Sequence, residues 1–482
     1  MKIRNCLCLL VSLLLLSSCG ASTAETSADT NVSVQETTVQ EETTLTDLLP
    51  DDMDFGGYTF TIAMPEALLT YEKYAMPEGE TGELLNDTSL RRNYAVEERY
   101  NIKLAFHLGP GNDIIKDVQQ VVMAGESSFD LVQFASAWNK IMPLVQDHAL
   151  LNLLELPHAN LDADYFYGHL NEQLTINGKL YTGFSNYNNS GTMPLYMVFN
   201  KNMMTDMGME MPYETILNGD WTYDVFLGYI KDAAVDLDGD GKQENTDQWG
   251  FANLNSLTNY MVWGFDIHIL QRLDNGTYVP DLRNERFVDA VQKVTELKLA
   301  NPDCFAPSDF NVMNIGDLHM FMMGDILFSS TGTGSMQLRN IEEFDFGIAP
   351  FPKYDENQQS YTNYMALDNF GVVVTAQDLE IVGAVAEGLA VTSKEMMEPA
   401  YLDVYVENKL LRDEESVEVA KLMMESACID FTRYFDFADG AITPVSMMNN
   451  IKDPGAVVSH LTSVESKAVS MAEEFFAIFF EE

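Results

Sequence analysis

Between Tyr58 and Leu154 this 482-residue chain alternates strand-like and helix-like segments, and that alternation restricts its fold more than any other feature. Tyr58-Thr59-Phe60-Thr61-Ile62-Ala63 alternates in polarity and is rich in β-formers, which predicts a strand. Asn86-Asp87-Thr88-Ser89 offers N-cap residues for a helix running to about Arg99. Residues 101–106 and 129–134 read as further strands, and 111–124 and 142–154 as helices. A βαβαβα order of this kind implies a parallel sheet covered by helices. Downstream, 178–183, 195–200, 326–330, 344–349 and 370–375 read as strands. Helices are expected at about 201–207, 222–235, 284–300, 314–323, 378–394, 395–408, 414–427 and 457–480. The expected class is therefore α/β, with two strand-and-helix-rich halves and no internal repeat.

The charge balance excludes several functions. There are 27 Lys and Arg against 74 Asp and Glu, a formal net charge of -47. A general nucleic-acid binder needs clustered cations for phosphate, so no nucleic-acid partner is expected. Adhesion to anionic lipid by charge alone is disfavoured for the same reason. Five cysteines are too few for a disulfide scaffold.

The amino terminus points to a membrane surface. Lys2 and Arg4 precede a run from Cys6 to Leu16 that is apolar except at Ser12. That is the length of a signal-peptide core and too short to span a bilayer. Leu16-Ser17-Ser18-Cys19 follows at once and resembles the lipobox of bacterial lipoproteins. The resemblance implies cleavage after residue 18 and a diacylglyceryl group on the Cys19 thiol. An ordinary secretory signal with a chance cysteine is the alternative. Two acyl chains give a stable anchor where one is marginal. Residues 20–52 are mostly Thr, Ser, Glu and Ala, without one Lys, Arg or aromatic. A segment so polar buries too little surface to order itself, so 19–52 is expected to be a disordered tether of roughly 30 Å coil span. Of the later cysteines, Cys304 and Cys428 are expected as small buried hydrophobes; their pairing stays open.

The sharpest local motif runs from Asp236 to Asp247. Carboxylates stand at positions 1, 3, 5, 9 and 12 of this loop (Asp236, Asp238, Asp240, Glu244, Asp247), with Gly241 at position 6. That is the spacing of an EF-hand calcium loop, in which the Lys242 carbonyl would supply the position-7 ligand. Asp247 stands where glutamate usually coordinates through both oxygens, and its shorter arm departs from the pattern. The expectation is a structural calcium ion; a solvated acidic turn is the plainer alternative.

Several blocks occur in an order that resembles a known family. They are FDLVQF and LVQDHALLNL (129–134 and 144–153), GKLYTGF and LYMVFNKNMM (178–184 and 195–204), and WTYDVF with DLDGDGKQENTDQWGF (221–226 and 236–251). FMMGDILFSSTG (321–332) and FDFGIAPFPKYDENQ (344–358) follow. Together they resemble the extracellular solute-binding proteins of ABC importers, in particular the family 1 carbohydrate binders that include maltose-binding protein. The resemblance covers roughly 55–440. It implies a two-lobe, type II periplasmic-binding-protein fold, each lobe a mainly parallel sheet covered by helices. The N-terminal lobe would take 53–185 plus about 366–412, and the C-terminal lobe 186–365 plus about 413–482. It further implies a carbohydrate ligand, expected to be a neutral oligosaccharide, and ABC permease subunits as partners of a monomeric receptor.

Ligands of open α/β sheets sit beyond the carboxyl ends of the strands, so the loops there hold the candidate ligand residues. Trp138 follows the third strand and offers a ring for a pyranose face. Asn186, Tyr187 and Asn188 lie at the first suspected crossover, where amides suit hydroxyls that both donate and accept. Trp263 and Asp266 share a loop with Gly264, and Ser330 and Thr331 follow a strand. Asp368 and Asn369 lie at the second suspected crossover. Asp87, at a helix start, is explained by capping alone and is weaker. Each of these also reads as ordinary packing or a plain polar turn. The paired methionines, such as Met322-Met323 and Met423-Met424, read as core filling.

No G-x-S-x-G elbow, H-E-x-x-H helix or phosphate-binding loop occurs, and the seven histidines are scattered. The reading is a solute-binding protein without catalysis. A secreted carbohydrate-active enzyme and a non-transporting sugar sensor are the alternatives.

Overall fold

Tyr58–Pro65 starts half-exposed and ends fully buried, and it becomes the centre of a sheet. Ile102–Gly109 and Leu131–Phe134 flank it, both parallel. Asn369–Gly371 returns from far along the chain and pairs antiparallel with Leu131–Phe134. A second, five-stranded sheet has the order Phe346–Ala349, Tyr196–Asn200, Ile326–Thr331, Trp249–Ala252, Cys304–Phe305. Its last three strands are mutually parallel, and Tyr196–Asn200 runs antiparallel between Ile326–Thr331 and Phe346–Ala349. Strands buried on both faces read as continuous apolar runs, which is why 195–200 and 326–330 were legible. The molecule is thus an α/β protein of two lobes, one around each sheet.

This is a computed structural model, and it describes residues 49–70, 79–135, 141–244, 246–252, 256–274, 277–305, 319–332, 335–407, 410–434 and 444–480. The expectations for the leader, Cys19, nearly all of the tether and Trp138 lie outside the described residues. No helix among the described residues is long and apolar enough to cross a membrane. Cys304 and Cys428 are buried and unbonded to each other.

Three expected elements differ. The helix beginning at Met142 stops at Gln146. His148 is left-handed (φ 51°), and the chain then turns to bond Val372 and Leu180 through the Leu151 and Leu153 N–H groups. Residues 178–183 form only isolated bridges, Ile176 to Lys179 and Gly183 to Phe370, because one strand edge is all that is offered there. The two helices expected over 378–408 are one, Leu379–Glu407, with Pro399 inside it. Proline disfavours a helix interior by about 3 kcal/mol. Here Met397, Ala400 and Tyr401 pack on Leu85 and carry the helix past it.

One half-buried pair ties the layers of the second lobe. Asp413 caps the Glu414–Glu425 helix by accepting from the Ser416 N–H at 2.7 Å, and it pairs with Lys201. Burial pushes its carboxyl up, but the Lys201 ammonium and the Ser416 donors more than offset this and hold it below the ordinary carboxylate range. A depressed folded value stabilises above the unfolded value and loses that contribution as pH falls through the folded one. Asp413→Asn keeps a capping side chain but removes the charge that faces Lys201, and is therefore expected to lose about 1–2 kcal/mol at pH 7. In urea titrations the gap between variant and wild type should close below about pH 4. A gap independent of pH would remove the ionic part of this account.

Candidate functional site

The chain passes between the two sheets after Gly183 and again between Tyr364 and Asn369. Ser185 begins the first passage, and its side chain and Asn188 cap each other around the one-turn helix Asn186–Asn189. The polar run expected as a loop is therefore a capped turn with all four side chains buried.

That turn is laced to the second passage. Asn188 and Asn189 both donate through Nδ2 to the Asp368 carbonyl, at 3.0 and 2.8 Å. The Asp368 N–H donates back to Asn189 Oδ1 at 2.8 Å. Asn369 donates to Thr182 Oγ1 at 3.1 Å. Asn186 accepts from the Tyr167 hydroxyl at 3.0 Å. Beneath the turn, the Arg92 guanidinium lies 4.7 Å from the Tyr187 ring centre. Burial pushes the Tyr187 hydroxyl pKa up, and Arg92 offsets part of that. The structure thus brings Asn186, Tyr187, Asn188, Asp368 and Asn369 into one seam. Asn189, the last residue of the same Asn-rich run, joins the seam through three side-chain bonds.

The remaining candidates lie apart from this seam. Trp263 is fully buried, its ring stacked 3.9 Å from Tyr364 and its Nε1 donating to Asp430 at 2.6 Å. Tyr260 lies against it at 4.5 Å, so no ring face is open to a ligand in this arrangement. Asp266 is exposed, left-handed (φ 54°), and 3.6 Å from His268. Asp87 accepts from the N–H groups of Thr81 (2.6 Å) and Gly82 (3.0 Å), which hold its carboxyl below the ordinary range. It closes the turn before the Leu84–Tyr100 helix rather than capping it, since Glu83 is the N-cap. Thr331 ends its strand opposite Tyr196, the first residue of the strand that leaves the seam.

Several of the buried polar atoms without partners lie near strand ends, while others, such as Thr295 Oγ1 in the Glu285–Leu299 helix, lie elsewhere. Among the described residues, both amide atoms of Gln133 and Asn369 Oδ1 lack a hydrogen bond in the first sheet. Ser330 Oγ and, just past Trp249–Ala252, Thr258 Oγ1 lack one on the second-sheet side. Buried polar groups are nearly always bonded, so four such residues at the carboxyl ends of both sheets are unusual. Gln133 was legible as the lone polar residue in an apolar strand; Thr258 had no signal.

Two cavities lie among the described residues, one of them beside the first crossing. One, of about 540 Å³, has a mixed lining that includes Asp266, His268, Arg286 and Asp430 beside Leu270 and Phe431. Burial pushes the His268 imidazole down, but Asp266 and Asp430 more than offset this and hold it above its ordinary value. The other, of about 460 Å³, is lined mainly by aromatic and aliphatic side chains beside Asn186. Neither includes the unpartnered strand-end groups.

Away from the seam, the oxygens of Asp236, Asp238 and Asp240 lie within 4.8 Å of one another. Gly241 is left-handed (φ 81°), and its N–H and that of Gly239 donate to Asp236 at 2.8 and 2.7 Å. These donors hold the Asp236 carboxyl below its ordinary range. Asp247 is buried and accepts from Leu237 (2.9 Å) and Glu244 (2.6 Å), drawing the loop ends together. Lys242 Nζ lies 3.2 Å from Asp240 and 3.7 Å from Glu244. Three converging carboxylates on a turn fixed by glycine fit a hard, oxygen-seeking cation.

Known proteins share this architecture. An ABC substrate-binding protein from Listeria monocytogenes, solved in complex with cycloalternan, superposes with a TM-score of 0.53 at 14% identity, covering 88% of this chain and 100% of that one. UspC of M. tuberculosis superposes with a TM-score of 0.57 at 15% identity, covering 86% and 100%. No curated protein matches the sequence. The family model described as "Bacterial extracellular solute-binding protein" matches residues 94–405, well over half of the chain. With both sheets and both passages inside or beside that match, the chain belongs to the bacterial extracellular solute-binding proteins.

Proposed function

We propose that this chain is the lipid-anchored receptor of an ABC importer and captures a neutral oligosaccharide between its two lobes for delivery to permease subunits. Cys19 would carry the anchor, and the receptor would act as a monomer. The first lobe would comprise 53–185 with about 366–412, the second 186–365 with about 413–482. The observation that carries the reading is the set of unpartnered buried amides and hydroxyls at the strand ends of both sheets, beside crossings laced by asparagine. Sugar hydroxyls both donate and accept, which is what Gln133, Asn369, Ser330 and Thr258 lack. A ligand touching both lobes favours the closed arrangement and shifts a hinge equilibrium without chemistry. The sugar-bound Listeria neighbour is consistent with this. Calorimetry against a glycan panel is expected to show binding of at least one oligosaccharide. Binding of peptides or polyamines and of no sugar would overturn the ligand class, and product formation from a bound glycan would overturn the absence of chemistry.

We further propose that the Asp236–Asp247 loop holds a structural calcium ion through Asp236, Asp238, Asp240, the Lys242 carbonyl, Glu244 and Asp247. An extracellular-type site binds at about 10⁻⁴–10⁻³ M. At the tighter end, about 5 mM calcium stabilises the folded state by on the order of 2 kcal/mol. Thermal unfolding of the wild type should move up with calcium, and Asp238→Ala should abolish the shift. An unmoved wild-type transition rules the ion out.

A further inference from the structure

We propose that Lys298 is a reversible modification site, whose side-chain amine takes up carbon dioxide as a carbamate held by the ammonium of Lys452.

Lys298 stands in the last turn of the Glu285–Leu299 helix, which packs on the Ser256–Tyr260 turn. That turn packs in its other direction on the Pro444–Asn450 helix. The Lys298 Nζ donates to Asn259 Oδ1 at 2.5 Å. Asn259 Nδ2 donates to Asn449 Oδ1 at 2.8 Å, and the Asn449 carbonyl accepts from Lys452 Nζ at 2.6 Å. Two ammonium groups are thus strung on one pair of asparagines.

In a chain with 74 acidic residues against 27 basic ones, a carboxylate is the ordinary partner of a lysine. Among the described residues, the lysine ion pairs fall on Lys201, Lys242, Lys293 and Lys394, and on neither lysine of this string. Lys298 is half-buried, and burial first and the Lys452 charge second push its amine down to about 8, with Cys304 opposing. Lys394 makes the contrast. Burial acts on it as well, but Glu398 and Asp164, both at 3.3 Å, more than offset this and hold its amine above the ordinary value. Lys298 is therefore the lysine that spends much of its time as the neutral amine near pH 8, and the neutral form is the nucleophile.

The reaction relieves an imbalance that the fold leaves. The amine lone pair attacks the carbon of carbon dioxide and forms a C–N bond. One C=O electron pair moves onto oxygen, and one proton passes from nitrogen to solvent. A cation that Lys452 repels becomes an anion that Lys452 attracts. Asn259 suits both states, since its Oδ1 accepts from the amine beforehand and from the carbamate N–H afterwards. Thr295 is one turn back on the same helix, a neighbouring position, and its buried hydroxyl lacks a partner and is available to a carbamate oxygen. The helix end opposes the change weakly, because its dipole favours a cation but is screened at the surface. Carbon dioxide is neutral, so the net charge of -47 does not hold it off as it would a free anion.

The test uses the full chain equilibrated with isotope-labelled bicarbonate near pH 8. Carbamates are followed by NMR, trapped with an alkyl oxonium salt and located by peptide mass spectrometry. A carbamate is expected on the Lys298 peptide and none in Lys298→Arg, which keeps the charge but is not nucleophilic at this pH. Lys452→Gln should lower the occupancy at fixed bicarbonate by roughly threefold or more, because it raises the proton affinity of the amine and removes the cation that holds the product. No carbamate on the Lys298 peptide of the wild type overturns the site, and that measurement stands even where a variant fails to fold. A signal left unchanged in Lys298→Arg belongs to the chain's α-amine and overturns it equally. Undiminished occupancy in Lys452→Gln overturns the part assigned to Lys452.

Discussion

Asn189→Leu is expected to lower the stability of the chain by about 3 kcal/mol. Asn189 is fully buried, and leucine keeps the branched outline and heavy-atom count of its side chain while being larger, so the loss is mainly polar with some overpacking. Its Oδ1 is the acceptor for the Asp368 N–H, and its Nδ2 donates to the carbonyls of Asp368 (2.8 Å) and Ser185 (3.2 Å). The Asp368 carbonyl keeps Asn188 as a donor. The Ser185 carbonyl keeps the intrahelical N–H of residue 189, but the Asp368 N–H loses this acceptor, which costs about 1–3 kcal/mol, and the two bonds donated by Nδ2 are lost as well. Urea denaturation of the variant should show a lower midpoint with an unchanged slope. Because the same bonds join the two passages between lobes, solute affinity should change as well. An unshifted midpoint would mean that the seam is not held by this side chain.

Gly191→Ala is expected to cost about 2–4 kcal/mol and to distort the crossing. Gly191 has φ 72°, where a side chain costs roughly 1–2 kcal/mol. A methyl group there would also meet the Tyr401 ring well inside van der Waals contact. The ring is held by Leu85, Met397 and Ala400, so it has little room to yield, and overpacking of this kind costs about 1–3 kcal/mol. Gly191→Ala combined with Tyr401→Leu separates the two contributions. The pair should recover the steric part and leave the backbone part. A double variant no more stable than Gly191→Ala alone would show that the ring contact is not the obstacle.

Much of this fold is legible because period and burial agree. The first three strands pair in parallel as their alternation with helices requires, and Tyr196–Asn200 and the Ile326–Phe328 half of Ile326–Thr331 are apolar because both their faces are covered. The failures share a cause. Residues 149–154 look helical locally but bond to Val372 and Leu180, which lie elsewhere in the chain. Pro399 argues for a break that packing on Leu85 overrides. At the candidate site, the Asn-rich run lies where the chain passes between the sheets, and residue type suggests amides that bond ligand hydroxyls. The partner, however, is the Asp368 backbone in this structure, and Trp263 is a buried stacking residue whose neighbours no local pattern names.

The sequence alone determined the acidic character of the chain, its α/β class, the carboxylate spacing of 236–247 and the family to which it belongs, since these depend on composition, short-range periodicity and motif order. Only the tertiary structure decided that Asn188 and Asn189 clasp Asp368 about 180 residues away, that Gly191 must lack a side chain because Tyr401 covers it, and that two helices from different lobes leave a cavity beside the crossing. Those features arise from contacts between segments distant in sequence, and no local propensity encodes which distant group will arrive.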